Sequence, residues 1–380
     1  MTRHLLVSND FPPKVGGIQA YLWELWRRLP PDSFVVYTTP HKDSARFDAA
    51  QPFQIIRSVE PVLLPNPALR SRINSLAATV AADFVVIDPA VPLGMIGPAL
   101  DLSYAVVLHG SEVTVPGRLP VSRSLLKRVL INADLVIAAG GYPAAEAERA
   151  AGRPLRSIVV PPGVDGDRFR PLSDAEKHST RVELGLSAEA EVVLGLSRLV
   201  PRKGFDDVIR AVGRLGPFRP NLVCLIAGAG RDRRRLERLA QRVGAPVRFL
   251  GRVEDELVPR LYGIADVFAM MCRVRWFGLE QEGFGIVFVE AAAAGTAQIA
   301  GASGGAHEAV AHAATGIVVE RPSDVATLAA NLTALLDDPT RLGRMGEASR
   351  QRAIAEFDYD SLAQRLSEAL DEMGARCRAG

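Results

Sequence analysis

Short apolar runs alternate with helical patterns along the first half of the chain. Six of these runs are rich in valine, isoleucine and leucine and fit strands: residues 4–9, 34–39, 84–90, 104–110, 134–140 and 156–163. The stretch between the first two has a helical apolar face, formed by Ile18, Leu22, Leu25, Trp26 and Leu29. Apolar strands that alternate with helices predict a parallel sheet covered on both faces.

The second half repeats this plan with six further apolar runs. They span residues 191–199, 222–230, 247–251, 266–271, 297–301 and 315–320. Two Rossmann-like domains in tandem are the simplest interpretation, with a boundary in the proline- and glycine-rich segment 160–171. We therefore assign residues 1–165 to a first domain and 166–380 to a second. A last helix at about 357–375 is predicted to pack back on the first domain.

Length and composition agree with a two-domain protein. A chain of 380 residues exceeds the roughly 250–300 that one core usually supports. The formal charge of +2 gives no reason to expect nucleic-acid binding. The three cysteines show neither disulfide nor zinc spacing, which favours a reducing cytoplasm. No apolar run reaches about 18 residues, so we expect neither a secretory signal nor a membrane span.

The loops that follow strands are where we expect the chemistry, because ligands of open α/β sheets bind beyond the carboxyl ends of the strands. In the first domain, Gly16 and Gly17 precede a helix and would let an anion approach backbone amides, although an ordinary tight turn explains them equally well. His109 ends an apolar strand, where it either reaches a ligand or caps a turn through Gly110.

The second domain carries two loops with charged residues. Arg198 ends a strand, and Lys203 lies just before a predicted helix, whose dipole disfavours a cation and so invites an anion. With free helix N–H groups these side chains suit a pyrophosphate, while a solvated basic loop is the alternative. In EQEGFGIVFVE, a helix from near Phe284 would place Glu282 before its start and Glu290 within it, where carboxylates can bind vicinal hydroxyls.

Taken together, these motifs resemble the retaining glycosyltransferases of the GT-B fold, in the large family numbered four. EQEGFGIVFVE matches the family's E-x7-E signature, SRLVPRKG its phosphate loop, GGIQ its N-terminal glycine loop, HGSE its cleft histidine motif and PPGVDGDRFRP its interdomain segment. The resemblance implies two Rossmann-like domains that face each other across a cleft. The motifs are most similar to those of the actinobacterial GDP-mannose-dependent mannosyltransferases that build phosphatidylinositol mannosides.

The resemblance also implies roles for individual residues. Arg198 and Lys203 would hold the diphosphate, Glu282 and His109 the transferred sugar, and Glu290 the ribose. The implied donor-binding set further includes Gly16, Gly17, Gly251, Arg252, Gly283, Phe284, Gly285 and Ile286, and Asp10 would face the acceptor. Family membership implies retention of anomeric configuration without a double-displacement nucleophile. It also implies that no metal or other cofactor is required.

Donor and acceptor stay open at this point, because HGSE, MCRVRWFGLEQEG and Ala297 depart from the usual sequence of that subfamily. The first prediction is transfer of α-mannose from GDP-mannose to a lipid-linked or glycan acceptor, such as a phosphatidylinositol mannoside. The alternatives are a family-four transferase with a UDP-sugar donor, a nucleotide-sugar epimerase, which shares a double Rossmann layout, and a degenerate subunit that only binds nucleotide.

One further segment bears on localisation. Residues 123–130, RSLLKRVL, mix Arg123, Lys127 and Arg128 with leucines. This composition fits either peripheral contact with an anionic membrane or an ordinary half-buried surface helix. The prediction is a cytoplasmic protein with this segment as the candidate contact at the inner face of the plasma membrane.

Overall fold

The computed structural model describes residues 2–379, and they form two compact units. The first unit comprises residues 2–163 and 359–379, and the second comprises residues 164–358. Each unit is built on one parallel sheet with helices on both faces. The predicted fold class, α/β with two Rossmann-like sheets, is confirmed.

The sheet of the first unit has seven strands among the described residues, in the order β3-β2-β1-β4-β5-β6-β7. They are β1 His4–Ser8, β2 Phe34–Thr38, β3 Gln54–Arg57, β4 Phe84–Asp88, β5 Tyr104–Leu108, β6 Leu135–Ala138 and β7 Ser157–Val159. The apolar pattern missed β3. It lies at the edge of the sheet and is partly exposed, so its ends carry polar residues instead of a continuous apolar run.

Helices cover both faces of this first sheet. They are α1 Gly17–Trp26, α2 Ser44–Ala49, α3 Pro67–Thr79, α4 Ser111–Arg118, α5 Pro120–Asn132 and α6 Gly141–Ala151. Side chains alternate along each strand, so Leu5 and Val7 pack into the cluster under α3, α5 and α6, whereas Leu6 packs into the cluster under α1. Both faces are apolar, which explains why the strands read as continuous apolar runs.

The second unit repeats the layout with six strands among its described residues, in the order β10-β9-β8-β11-β12-β13. The strands are β8 Glu191–Leu196, β9 Leu222–Ala227, β10 Val247–Gly251, β11 Val267–Met270, β12 Ala297–Gly301 and β13 Gly316–Val319. The helices are α7 Asp174–Glu183, α8 Phe205–Leu215, α9 Arg233–Val243, α10 Leu257–Ile264, α11 Ile286–Ala293, α12 Ala306–Ala309, α13 Val325–Leu336 and α14 Pro339–Phe357.

The last helix, α15 (Tyr359–Ala379), belongs to the first unit. Its apolar face packs against α1 and completes the cover over the face of the sheet that contains Leu6. The buried residues of that helix face include Leu362, Leu366, Leu370 and Met373. None of the helices within residues 2–379 has the length and apolar character needed to cross a membrane.

Each sheet contains one point where the strand order reverses. In the first sheet this point lies between β1 and β4, and in the second it lies between β8 and β11. Loops that leave neighbouring strands in opposite directions open a crevice at such a point, and ligands of α/β proteins bind there. The two switch points therefore define where the chemistry of each unit is concentrated.

Candidate active site

At the switch point of the first unit, a chain of hydrogen bonds links the ends of β1, β4 and β5. Nε2 of His109 lies 2.6 Å from Oδ1 of Asp88. The Ser8 hydroxyl donates to Oδ2 of Asp88 at 2.7 Å and accepts from the backbone N–H of Asp10 at 2.8 Å. The structure thus brings the predicted residues Asp10 and His109 into one cluster. Asp88 joins them; it was not among the predicted site residues, although a lone acid at the end of an apolar strand is a signal visible in the sequence.

The environment of His109 favours its protonated form. Burial acts to lower the pKa of the imidazole, but the charge and hydrogen bond of Asp88, with the charges of Glu112 and Asp10, together raise that pKa above its ordinary value. Glu112 also accepts hydrogen bonds from the backbone N–H groups of His109 and Gly110 and so fixes the start of α4. Because Nε2 faces Asp88, Nδ1 is the ring nitrogen that can meet a ligand.

Asp10 is half-buried, and one of its oxygens is already engaged. The Gln19 side chain donates to Oδ1 of Asp10 at 2.6 Å. Burial and the charge of Asp88 raise the pKa of Asp10, although Lys14, His109 and Gln19 act in the opposite direction. A carboxylate held on one side in this way can offer its other oxygen to a hydroxyl donor.

The glycine loop before α1 is not closely packed against other parts of the protein. A side chain at Gly17 would meet no atom of the protein within 4 Å, and one at Gly16 would meet only the flexible side chain of Gln19. The packing inside the protein therefore does not require glycine at these positions. Helix α1 begins at Gly17 without a side-chain cap and without an acid in its first turn. Its N–H groups suit an anionic ligand, as the predicted donor contact requires.

At the switch point of the second unit, Lys203 and Glu282 form a buried ion pair. Nζ of Lys203 lies 2.7 Å from Oε2 of Glu282, and the Cys272 thiol lies 3.5 Å from the same oxygen. Burial acts to raise the pKa of Glu282, but the charges of Lys203 and Arg202 and the hydrogen bonds of Lys203 and Cys272 outweigh it and lower the pKa. Two predicted site residues from separate loops thus meet as a charged pair.

Two arginines lie on the loop that carries Lys203. Arg202, which was not among the predicted site residues, has its Nε 3.9 Å from Oε2 of Glu282 and a terminal nitrogen 3.9 Å from Glu280. Its buried Nε has no hydrogen-bond partner among the described residues. Arg198 is exposed at the end of β8, and within residues 2–379 it forms no ion pair. The guanidinium of Arg198 is therefore available to an anion, whereas that of Arg202 lies beside two carboxylates and offers its Nε–H.

The start of α8 has no side-chain cap, so its N–H groups are free of side-chain partners as expected, but the charge of its first turn was not expected from the sequence. The first turn of this helix contains Asp206 and Asp207, which are both buried. Arg273 contacts Asp207 at 3.0 Å, also contacts Asp206, and donates to the carbonyl of Pro201 at 3.0 Å. These carboxylates already offset the helix dipole. The role of Arg273 is to tie the loop after β11 to the loop that bears Lys203.

Helix α11 begins at Ile286, two residues later than predicted from the sequence. The reason is Gly285, whose left-handed backbone (φ 92°) forms the N-cap and whose added Cβ would lie 2.8 Å from the Phe288 ring. The helix has no side-chain cap and no acid in its first turn. Phe284 is buried against Phe357, so it anchors the loop from within. Gly283 and the start of α11 supply the close backbone approach that an anionic ligand needs.

A second glycine pair, Gly304 and Gly305, which was not predicted to belong to the site, supports the Glu282 loop. Glu282 accepts at its carbonyl from the N–H of Gly305 at 3.0 Å, and its own N–H donates to the Ser303 hydroxyl at 3.3 Å. A Cβ at Gly304 would lie 2.0 Å from the Glu282 carbonyl oxygen. Such contact is open only to glycine, and the sequence GASGGAHE contains this signal.

Gly251 and Arg252 lie at the end of β10, where three loops meet. Gly251 has φ 73° and accepts at its carbonyl from the N–H of Gly228 at 2.6 Å. A Cβ at Gly228 would lie 1.9 Å from the Ser197 carbonyl oxygen, so the loops after β8, β9 and β10 are in backbone contact. Arg252 is exposed. This backbone-rich corner suits a flat ring that is recognised by N–H and C=O groups.

Glu290 projects from α11 toward Tyr262. The Tyr262 hydroxyl donates to Oε2 of Glu290 at 2.8 Å. Burial raises the pKa of Glu290, while the hydrogen bond from Tyr262 and the charge of Arg168 act to lower it. The carboxylate is half-buried, and only Oε2 takes part in this hydrogen bond.

The segment predicted to contact a membrane lies on α5. Leu126, Val129 and Leu130 are buried under this helix, whereas Val121 and Leu125 are exposed among the basic residues 123, 127 and 128. The helix thus has one face for the core and a second, basic and apolar face in solvent.

Across the part of the chain that the structure describes, no three His, Cys, Asp or Glu side chains come together as a metal site would require.

Comparison with known proteins places these features in context. Residues 176–352 match the family described as Glycosyl transferases group 1. A GDP-mannose-dependent monoacylated alpha-(1-6)-phosphatidylinositol monomannoside mannosyltransferase from Corynebacterium glutamicum is 38% identical over 96% of this chain and 97% of its own length. A GDP-mannose-dependent alpha-(1-6)-phosphatidylinositol monomannoside mannosyltransferase from Mycobacterium tuberculosis is 38% identical over 97% of this chain and 98% of its own.

Solved structures agree on the fold. HepE from Anabaena, crystallised with UDP and glucose, superposes with a TM-score of 0.80 at 21% identity, covering 98% of this chain and 100% of that one. WaaG, a glycosyltransferase of lipopolysaccharide biosynthesis, gives 0.69 at 21% identity over 96% and 99%. These neighbours have the GT-B fold, as predicted from the sequence.

Proposed function

Because the chain belongs to the group 1 glycosyltransferases, we propose that it transfers α-mannose from GDP-mannose to a phosphatidylinositol mannoside, with retention of anomeric configuration. The observation that supports this most directly is the buried Lys203–Glu282 pair beside the Nε of Arg202, which has no hydrogen-bond partner within residues 2–379. A cation can bind the diphosphate of a nucleotide sugar, and a carboxylate beside it can accept hydrogen bonds from the hydroxyl groups of the attached sugar. The near-complete coverage of mannosyltransferase relatives points to the same donor.

In the proposed reaction, the bond between the anomeric carbon and the diphosphate oxygen breaks and its electron pair passes to that oxygen. Lys203, Arg198 and Arg202 stabilise the developing negative charge, which is the term that usually dominates such catalysis. The uncapped start of α11 adds N–H donors. We propose that these groups make a metal unnecessary, as the family resemblance implies.

Glu282 and Glu290 bind hydroxyl groups in this proposal. Glu282 is charged and buried beside the cations, so it orients the transferred sugar, and Glu290 holds the ribose. The acceptor hydroxyl bonds to the anomeric carbon on the face that the diphosphate leaves, and its proton passes to a departing phosphate oxygen. No enzyme carboxylate forms a covalent intermediate.

The first unit is proposed to bind the acceptor and to contact the sugar. Its cluster of Asp10, Asp88 and His109 presents hydroxyl acceptors and a protonated ring nitrogen. Asp10 faces the acceptor, whereas His109 donates to a hydroxyl of the sugar through Nδ1. Gly16 and Gly17 let the start of α1 meet a donor phosphate.

We further propose peripheral contact with anionic membrane through α5, at the inner face of the plasma membrane. The exposed Val121 and Leu125 lie among Arg123, Lys127 and Arg128, a mixture suited to the interface of an acidic bilayer. Sedimentation with phosphatidylinositol-containing vesicles tests this. Binding at low salt that falls at high salt supports the contact, and no binding at low salt contradicts it.

The activity test incubates the protein with GDP-mannose, UDP-glucose or UDP-N-acetylglucosamine and purified phosphatidylinositol monomannoside. We expect a mannosylated lipid from GDP-mannose alone, and none from the Glu282→Ala variant. Glycosylation of the lipid from a UDP-sugar would show that the proposed donor is wrong and that the proposed reaction, sugar transfer, is right. Conversion of the donor sugar without acceptor would identify an epimerase, and binding without any turnover would leave only a nucleotide-binding subunit.

A further inference from the structure

Among the described residues, the Glu290 side chain has a single hydrogen-bond partner. Its Oε2 accepts from the Tyr262 hydroxyl at 2.8 Å, and no Lys, Arg or His within residues 2–379 comes within 4.0 Å of it. Glu282, in contrast, is held by Lys203 at 2.7 Å and has Arg202 at 3.9 Å. The two glutamates of the same motif are therefore oriented by different means, one by cations and the other by a neutral phenol.

Tyr262 is fixed on every side. It is fully buried, with its ring centroid 6.0 Å from that of Phe169 and 5.6 Å from that of Phe268. Its carbonyl accepts from the Thr296 hydroxyl at 2.8 Å, which also fixes the end of α10. A ring packed in this way cannot change rotamer without disturbing the core. The packing therefore holds the Tyr262 hydroxyl in one position beside Glu290.

We propose that Tyr262 is a positioning residue that orients the Glu290 carboxylate toward the donor. This inference rests on the proposed function, because it takes Glu290 to bind the ribose hydroxyls. By binding Oε2, the phenol fixes the carboxylate plane and directs Oε1 to the ligand. Without it, the side chain of Glu290 would sample several rotamers, and binding would have to select one of them.

A purely structural explanation has to be tested against this one. A buried tyrosine hydroxyl needs an acceptor, and Glu290 could simply serve as that acceptor. The two explanations differ in what happens when the carboxylate is gone. A positioning residue loses its influence on the donor in a Glu290→Ala background, whereas a residue that shapes the pocket through packing retains it.

The test compares Tyr262→Phe, Glu290→Ala and the double variant by donor KM, kcat and GDP affinity from calorimetry. Tyr262→Phe keeps the ring and removes only the hydroxyl. We expect donor KM and GDP dissociation constant to rise about tenfold, the factor for one hydrogen bond to a charged group. Turnover at saturating donor is expected to stay within about twofold, because the ribose does not take part in bond breaking.

The double variant provides the decisive comparison. We expect Tyr262→Phe to add nothing to the KM of Glu290→Ala. It should also raise the unfolding temperature of that variant, because it removes a hydroxyl left without an acceptor. Tyr104→Phe is the matched control: its hydroxyl donates to the Val129 carbonyl at 2.6 Å in the first unit, so stability falls without a change in donor KM.

Three outcomes overturn the inference. An unchanged KM in Tyr262→Phe leaves the hydroxyl without a role in donor binding. An equal rise in KM with and without Glu290 assigns Tyr262 to packing. An unchanged KM in Glu290→Ala removes the ribose role itself, and this failure is separable from the first two because it appears in the single variant. Mannosyl transfer measured in the same assay reports on the proposed function independently.

Discussion

The two units share one topology, but their switch points carry opposite chemistry. In the first, the reversal between β1 and β4 gathers Asp10, Asp88 and Glu112 around a single histidine. In the second, the reversal between β8 and β11 gathers cations around Glu282. The same backbone plan thus produces one site suited to hydroxyl groups and one suited to a diphosphate.

The difference lies in loop residues, because both sheets are continuous apolar cores. The fold fixes where the strands end, and the loop sequences decide which charges collect there. In the second unit the loops after β8 and β11 are in backbone contact, since a Cβ at Gly204 would lie 1.8 Å from the Met271 carbonyl oxygen. In the first unit the joining is done by side chains, chiefly Asp88 and Ser8.

Lys203→Ala should give the largest effect, because it removes the buried cation that defines the second site. Turnover is expected to fall about 100- to 1,000-fold, the usual cost of losing one charge-stabilising donor. Glu282 loses its main partner, so its pKa should rise. Steady-state kinetics with GDP-mannose measures this, with exposed Lys177→Ala as the control. Turnover within tenfold of the unaltered protein would remove Lys203 from catalysis and break the proposed contrast between the sites.

Gly204→Ala should break the backbone contact that is particular to the second unit. Gly204 has φ 67°, and the added Cβ would collide with the Met271 carbonyl. We expect a loss of about 2–4 kcal/mol in the free energy of unfolding, with Lys203 displaced. Gly343→Ala is the matched control, since it lies within α14 with nothing within 4 Å and should stabilise by about 0.5–1 kcal/mol. An equal change in the free energy of unfolding in the two variants, measured by urea unfolding, would contradict the close contact between Gly204 and the Met271 carbonyl.

Asp88→Asn tests the first site through pH. In the folded protein the pKa of His109 is raised above 6.5, so protonation contributes stability that is complete below pH 6.5 and is lost as pH rises through the raised pKa. Without the Asp88 charge, burial is opposed only by the weaker effects of Glu112 and Asp10, so the pKa of His109 should fall. We therefore expect the variant to be less stable than the unaltered protein at pH 6 and to show a smaller decline in stability above pH 6.5.

Thermal unfolding between about pH 5.5 and 8.5 measures this difference. Asp43→Asn serves as the control, because Asp43 lies 3.6 Å from His41 in a more exposed pair. A screened surface pair contributes little to stability, so that variant should follow the unaltered protein. If Asp88→Asn shows the same decline with rising pH, the His109–Asp88 pair does not determine the charge of the first site.

The fold was predictable because its sheets are apolar on both faces. The buried strands in the middle of each sheet produced apolar runs, interrupted in β12 by Gln298, whereas the partly exposed edge strand β3 did not. Helix starts were less certain, because α11 depends on the left-handed backbone of Gly285, which sequence pattern does not fix to the residue. Local signals therefore sufficed for the buried strands but failed for the exposed edge strand and at the ends of helices.

The site was predictable where a single loop carries the signal. Lys203 and Glu282 were found from their own motifs and do meet in space. Asp88 and Tyr262 were missed because their importance comes from partners 21 and 28 residues away along the chain. Arg202 was missed for another reason. It lies in a loop with several basic residues, and only its burial, which the sequence does not show, distinguishes it from a solvated side chain.

Gln298→Met should have the smallest effect on activity. It tests whether a buried polar group in the sheet, unlike those at the two switch points, has no part in a site. Gln298 lies fully buried in β12, and neither side-chain amide atom has a hydrogen-bond partner among the described residues. Methionine has a similar volume and no amide to desolvate, so we expect a gain of about 1–2 kcal/mol in the free energy of unfolding with unchanged kcat and KM. Thermal and urea unfolding measure the gain, and Ile299→Met on the same strand provides a control for repacking. A loss of activity in Gln298→Met would instead connect this amide to the cationic site and extend the polar chemistry of the second unit into its sheet.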